Sequence, residues 1–202
     1  MKQLLKYHFF YNLYQNLIGC RGFLKRYVDT YVKPKVTKDG MNVLDLGCGT
    51  ANIVEFLPPN INYTGIDASE NYVYYDSKKY PNYTFLCKNL KEPVSLDKKY
   101  DLIISEALIS SLTDENTEVF FSTIKKHAAH GCKIVISDMN YSKTAHTFEN
   151  FLFKSERGTN FRDKDDYINL LSKHFNIDNV SVISKIYRIP YSKLVFECSI
   201  KE

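Results

Sequence analysis

Apolar positions recur every fourth residue at the start of the chain, at Leu5, Phe9, Leu13 and Leu17. That spacing places them on one face of a helix. The pattern over residues 3–30 predicts one or two amphipathic helices, interrupted at Gly19 and Gly22; the run FLKRYVDTYV carries the second to Val32, and Pro34 stops it. From residue 41 the rhythm changes to short apolar runs bounded by turn residues. NVLDLG, NYTGID (62–67), YTFLCKN (83–89), YDLIISEA (100–107) and GCKIVISD (131–138) read as five strands. Between them, ANIVEFL is a short helix ended by Pro58 and Pro59, SENYVYYDSKKY (69–80) is a helix with Ser69 as its cap, and another helix covers about 114–129. Helical segments follow over roughly 144–155 and 163–174. The tail, NVSVISKIYRIPYSKLVFECSI, reads as two strands joined near Ile189-Pro190 by a link short enough to make them antiparallel.

Strands alternating with helices predict an α/β, doubly wound, Rossmann-like sheet. A plain dinucleotide fold would not finish in a hairpin, so the expected sheet has seven strands with an antiparallel last strand. Residues 1–202 read as a single domain, with residues 1–34 as an N-terminal helical leader or lid. The length is enough for one α/β domain with a sizeable core.

Composition narrows this only a little. The 27 basic and 23 acidic residues leave a net charge of +4, too weak to argue for a nucleic-acid protein. The five cysteines form no CxxC and are odd in number. Cys87, Cys132 and Cys198 sit in apolar strand-like runs, where reduced, buried thiols are expected, and no metal site is expected. The N-terminal MKQLLKYHFFYNLYQNLIG is broken by Lys6, His8, Asn12, Gln15 and Asn16, so it carries neither a signal core nor a transmembrane segment; contact with a membrane surface stays open. A cytoplasmic, reducing location is expected. Oligomeric state cannot be read from these residues.

The candidate chemistry begins at MNVLDLGCGTAN, residues 41–52. Gly47 and Gly49 directly follow a strand, where a missing Cβ lets a ligand approach the backbone and lets φ turn positive. No GKS or GKT follows, which excludes a triphosphate loop, and Asn52 stands where a dinucleotide fingerprint would place its third glycine. Asp67 ends the second strand, 18 residues after Gly49. A carboxylate there can accept hydrogen bonds from the vicinal hydroxyls of a ribose.

These pieces together resemble the class I S-adenosylmethionine-dependent methyltransferases. VLDLGCGTAN, YTGIDAS, YTFLCKN and YDLIISEALI carry the likeness, over roughly residues 40–139 by motif and 40–200 by layout. The resemblance implies a cofactor, S-adenosyl-L-methionine, and its product S-adenosyl-L-homocysteine. It implies that Asp45, Gly47 and Gly49 lie against the methionine part, that Asp67 takes the ribose hydroxyls, and that Asn89 and Leu90 lie by adenine. The family usually has an acid where this chain has Asn89, and often a glycine where it has Ala51, a single added methyl. The leader YNLYQNLIGCRGFLKRYV resembles that of some small-molecule members, which makes Tyr11, Gln15 and Arg21 candidate cofactor or lid contacts.

In this fold the carboxyl ends of strands four and five face the crevice. Strand four delivers Ser105 and Glu106 there; strand five delivers Asp138 and then Tyr141; His146 follows. Ser105 is a candidate cofactor contact, and Glu106, Asp138 and His146 are candidate bases; the structural alternatives are a strand-end cap for Asp138 and a solvent-facing side chain for His146. A base is needed only where the acceptor holds its proton near neutral pH. Tyr141, Arg157 and Arg162 are candidate acceptor contacts, and the two arginines suggest an anionic acceptor; salt bridges in a turn are the alternative. No asparagine-proline-proline-tyrosine motif and no Pro-Cys nucleophile of the nucleic-acid enzymes occurs, so DNA is not expected. The function expected is methylation of a small-molecule acceptor on O or N. The alternatives are a protein or RNA acceptor, a non-catalytic methyltransferase-like binding protein, and an NAD-dependent oxidoreductase.

Overall fold

The computed structural model describes residues 7–141, 160, 162–184 and 192–201. The helices predicted over 144–155 and the joint at Ile189-Pro190 lie outside these residues. Seven strands form one sheet: β1 Asn42–Leu46, β2 Asn62–Asp67, β3 Thr84–Cys87, β4 Tyr100–Glu106, β5 Ala128–Met139, β6 Phe175–Ile183 and β7 Lys193–Ile200. Their order is β3-β2-β1-β4-β5-β7-β6. Strands β1 to β5 run parallel, and β7 is antiparallel to both β5 and β6. The sheet is the expected one. Strand β6 begins at Phe175, earlier than the Asn179 at which the tail was read, because Phe175 and Ile177 continue the pairing to Ile200 and Cys198.

The α-helices are α1 His8–Ile18, α2 Cys20–Tyr27, α3 Glu70–Lys79, α4 Asp114–His127 and α5 Lys164–Ser172. Local chemistry sets their ends. Ser69 accepts from Tyr72 N at 3.4 Å, Thr113 from Asn116 N at 3.3 Å, and Asp163 from Asp166 N at 2.9 Å, so α3, α4 and α5 each begin on a side-chain cap. Acids fill the first turn of α4 and bases its last turn, as the helix dipole favours. Gly19, at φ 82°, closes α1 in the left-handed conformation and opens α2. The predicted helix ANIVEFL is a 3₁₀ turn, Asn52–Phe56, that Pro58 and Pro59 leave no room to lengthen.

Alternate strand residues serve opposite layers. Leu44, Leu46, Ile103, Ile134, Ile136, Leu194 and Phe196 pack with Phe120, Phe121 and Ile124 of α4 and Tyr167 and Leu171 of α5. Val43, Leu102, Ile104, Val135 and Val195 face the other way and pack with Phe23, Leu24 and Tyr27 of α2 and with Val28 and Val32, which follow it in a π-helical turn. The second leader helix is thus part of the core.

Helix α1 is different. It has no buried residue, and Phe9, Leu13 and Leu17 are 65%, 48% and 61% exposed. The apolar face predicted from their spacing exists but points to solvent, while Tyr11, Asn12 and Gln15 turn toward the sheet. One thiol also departs from expectation. Cys132 and Cys198 are buried, but Cys87 is exposed, because β3 is an edge strand and residue 87 is its last.

Gly65, in the middle of β2, has no room for a side chain. A Cβ there would lie 2.9 Å from Cys48 Sγ and 3.0 Å from Phe85 Cδ1. Gly65→Ala is therefore expected to cost about 1–3 kcal/mol of unfolding free energy, the range for an overpacked core. Chemical denaturation measures this, and Cys48→Ala in the same background should restore part of the loss.

Candidate functional site

The site is built where β1 ends. The backbone N–H groups of Gly47 and Cys48 both donate to Ile66 O, at 2.8 and 3.0 Å, which folds the loop back over β2. Gly47 holds φ 83° and Gly49 φ 58°, conformations that cost other residues energy. A Cβ at Gly47 would press on Leu108 at 3.2 Å, and one at Gly49 would sit 3.8 Å from the Tyr11 ring. Ala51 also holds a left-handed conformation, φ 45°, while fully buried. It therefore carries backbone strain of about 1–2 kcal/mol in addition to its methyl group.

Asp67 joins loop to strand. Its Oδ2 accepts from Gly49 N at 3.0 Å and its Oδ1 from Ser69 N at 2.8 Å. The two backbone donors orient the carboxylate between the glycine loop and the start of α3. Asn12 accepts from Thr50 Oγ1 at 2.7 Å and from Asn52 Nδ2 at 2.9 Å, which seats α1 on the far side of the same loop. His8 adds a stacked contact with Tyr75 at 4.3 Å between ring centroids, and Tyr11 packs near Tyr72.

Between these elements lies an open cleft. Of the residues singled out from the sequence, Tyr11, Gln15, Asp45, Gly47, Gly49, Asp67 and Glu106 line it together. Gln15 lines the cleft, and its Oε1 is buried with no hydrogen-bond partner among the described residues, a polar atom left unsatisfied beside the site. Cys48, between the two loop glycines, also lines it, as do Tyr72, Leu108 and Ser111, which nothing in their spacing had marked.

The remaining candidates sit elsewhere. Arg21 pairs with Glu55 in an adjoining depression and lies over the Phe56 ring. Asn89 is exposed and closes its own turn, accepting from Lys91 N at 3.1 Å and donating to Glu92 at 3.0 Å. Leu90 belongs to the core beneath α4. Ser105 is buried and donates to Leu46 O at 2.8 Å. Asp138 is buried and caps the turn after β4, accepting from Ser110 N at 2.9 Å and from Met139 N at 2.7 Å. The Arg162 guanidinium is held by Asp114 and by the carbonyls of Asn160 and Ile109, and Tyr141 N donates to Arg162 O at 3.4 Å. His146 and Arg157 lie outside the described residues.

Burial dominates the electrostatics. Asp45 is pushed up to about 7 by desolvation, against a hydrogen bond from Tyr63 and with the charge of Asp67 adding to the rise. Asp76, fully buried on α3, is pushed up to about 8 by burial and by Asp67, and neither of its oxygens has a hydrogen-bond partner among the described residues. The Cys48 thiol is raised by burial and by the carboxylates of Asp45, Asp67 and Asp76, so it is no nucleophile near neutral pH. Lys193, the first residue of β7, is buried, pairs with Glu106 and lies 4.6 Å from the centre of the Phe23 ring. Burial lowers it to about 8. Its only sequence signal is a lone cation at the head of an apolar strand.

The chain belongs to the methyltransferase-domain family, whose profile matches residues 37–188. The fold is that of the class I S-adenosylmethionine-dependent methyltransferases. Two curated relatives are malonyl-[acyl-carrier protein] O-methyltransferases. That of Bacillus cytotoxicus is 35% identical over 94 residues, 44% of this chain and 32% of that protein; that of Acetivibrio thermocellus is 31% identical over 83 residues, 39% and 29%. The match thus spans about a third of the length of these relatives. Magnesium protoporphyrin IX methyltransferase from Synechocystis PCC 6803, solved with bound S-adenosylhomocysteine, superposes with a TM-score of 0.68 at 20% identity, over 91% of this chain and 84% of that one.

Asp76 gives a pH test of the site. Its folded pKa lies above the ordinary 3.8, so the folded state binds the extra proton, and the stability this gives is lost as pH rises from about 4 through about 8. Asp76→Asn, which cannot ionise, is expected to be more stable than the parent at pH 8 and little different at pH 4. Urea unfolding of both proteins across that range measures the difference.

Proposed function

We propose that this protein is an S-adenosylmethionine-dependent methyltransferase acting on a small-molecule acceptor, on O or N. The observation that carries the reading is the Gly47–Gly49 loop held over β2 with the Asp67 carboxylate fixed beside it and Tyr11 and Gln15 closing the cleft above. The residues present fit the cofactor. Asp67 would accept from its ribose hydroxyls, the glycine loop gives its methionine part close approach to backbone, and the unpaired Gln15 Oε1 offers an acceptor to its ammonium group. When bound it supplies a methyl group already activated on a sulfonium.

The chain's own work is then to align an acceptor and exclude water. Helix α1 covers the loop, and Leu108 and Ser111, just after β4, bound the cleft on the side where strand ends meet. Glu106 reaches the cleft from β4 and is the group we assign to take a proton from an acceptor that carries one. Lys193 compensates its charge and holds it in place. A cleft covered by a helix favours a small molecule, and the names of the relatives, one with a porphyrin and two with a carrier-bound malonyl group, are in keeping with a single small reacting group.

Calorimetry with S-adenosylmethionine, S-adenosylhomocysteine and NAD should show binding of the first two only. Asp67→Ala is expected to weaken both by about 1.5–3 kcal/mol, the range for a hydrogen bond to a charged group. Unchanged affinity in a folded variant removes the ribose assignment. A screen with methyl-labelled cofactor against metabolite, peptide and RNA pools should label a metabolite; label in RNA alone overturns the small-molecule reading, and binding without transfer to any pool favours a non-catalytic protein.

A further inference from the structure

Helix α1 is built in the reverse of the usual sense. Asn12 and Gln15 face the protein, while Phe9, Leu13 and Leu17 face out. Phe9, Leu13 and Leu17 form the outward stripe, flanked by Tyr7 and Phe10, which are 59% and 41% exposed. Tyr74 on α3, against which His8 packs through Tyr75, is 68% exposed. The helix sequence HFFYNLYQNLI contains no Asp, Glu, Lys or Arg. An exposed stripe of this kind, with no charges to solvate it, marks an interaction surface.

The charge around it says what kind. Residues 7–35 contain five lysines and arginines and one acid, Asp29, a formal charge of +4 that equals the net charge of the whole 202-residue chain. Arg21, Lys25 and Arg26 are exposed on α2, and Lys78 lies 5.7 Å from the centre of the Tyr74 ring. Asp29 offsets part of this by sharing Lys25 and Lys33, Glu55 by pairing with Arg21 and Lys79, and Glu197 by pairing with Lys35. The balance stays positive. Pairing α1 with a second copy would bring two such basic surfaces together, whereas a layer of anionic headgroups would neutralise them. An 11-residue helix is about 16 Å long. It is too short to span a bilayer and suited to lying in the interface, apolar side down.

We propose that α1 docks the protein on an anionic membrane surface, with Phe9, Leu13 and Leu17 entering the acyl boundary and the basic side chains of α2 meeting the headgroups. Aromatic rings favour that depth. The side of α1 that faces the cleft is left free to do its own work, since Tyr11, Asn12 and Gln15 lie on the opposite face.

Flotation with vesicles tests it, using the full chain and vesicles of phosphatidylcholine with or without phosphatidylglycerol. The parent is expected to float with the anionic vesicles, less so at high salt, and weakly or not at all with neutral ones. Phe9→Ser/Leu13→Ser/Leu17→Ser should lower partitioning by about tenfold or more while circular dichroism, melting and S-adenosylmethionine affinity stay as in the parent. Lys25→Glu/Arg26→Glu, which leaves the stripe intact, should lose the preference for anionic vesicles; this variant also keeps the test decisive if the triple variant misfolds. Failure of the parent to bind anionic vesicles overturns the proposal. So does parent-like flotation of both variants, or a solution dimer that the triple substitution breaks in a protein that ignores vesicles.

Discussion

One carboxylate organises the upper edge of the sheet. Asp67 ends β2 and takes backbone N–H groups from Gly49 on one side and Ser69 on the other. The first bond fixes the glycine loop relative to β2; the second fixes the approach to α3, whose cap is Ser69 itself. Charge-assisted bonds of this kind are among the stronger ones a fold can use. The loop in turn carries Thr50 and Asn52, on which α1 rests. Removing the carboxylate would therefore loosen strand, loop, the start of α3 and the seat of α1 together. A ribose, in the proposed function, would share an acceptor that is already oriented.

Close to this anchor the chain tolerates several costly features. Ala51 and Ala107 hold left-handed conformations, Asp76 is buried without a partner among the described residues, and a buried ion pair joins Glu106 to Lys193. None of these helps a sheet to fold. Strain and uncompensated polarity concentrate at working sites, where geometry matters more than stability. The opposite layer is led by large apolar side chains, Phe120, Phe121 and Phe196 among them, though it too buries polar groups such as Thr117, His127 and the Tyr167 hydroxyl.

The sheet was legible because its signals are local. Five apolar runs closed by turn residues, then a terminal pair, are enough to imply a doubly wound sheet of seven strands that ends antiparallel. The glycine loop and Asp67 were legible for the same reason, since both lie at strand ends. What escaped was set by tertiary contact. The spacing of Phe9, Leu13 and Leu17 identifies a face but not its direction, and a bury-the-apolar rule points that face the wrong way. Asp138 and Ser105 come to the right strand ends, but hydrogen bonds to Ser110 and Leu46 engage them inside the protein. Lys193 is far in sequence from Glu106, and only the antiparallel return of β7 brings them together.

The way α1 is attached has a consequence for how the protein opens. Its contacts to the body include hydrogen bonds, ring stackings and the half-buried Ile18 against the core, with no fully buried side chain of its own. Detaching it would expose little apolar surface, so its opening free energy lies far below that of the sheet. Amide exchange would resolve two populations: α1 amides freed by frequent local excursions, and β4, β5 and β7 amides released only with the whole core. The melting temperature then reports on the sheet and is blind to α1. A substitution that empties the cleft of its cover can leave every bulk stability measurement unchanged.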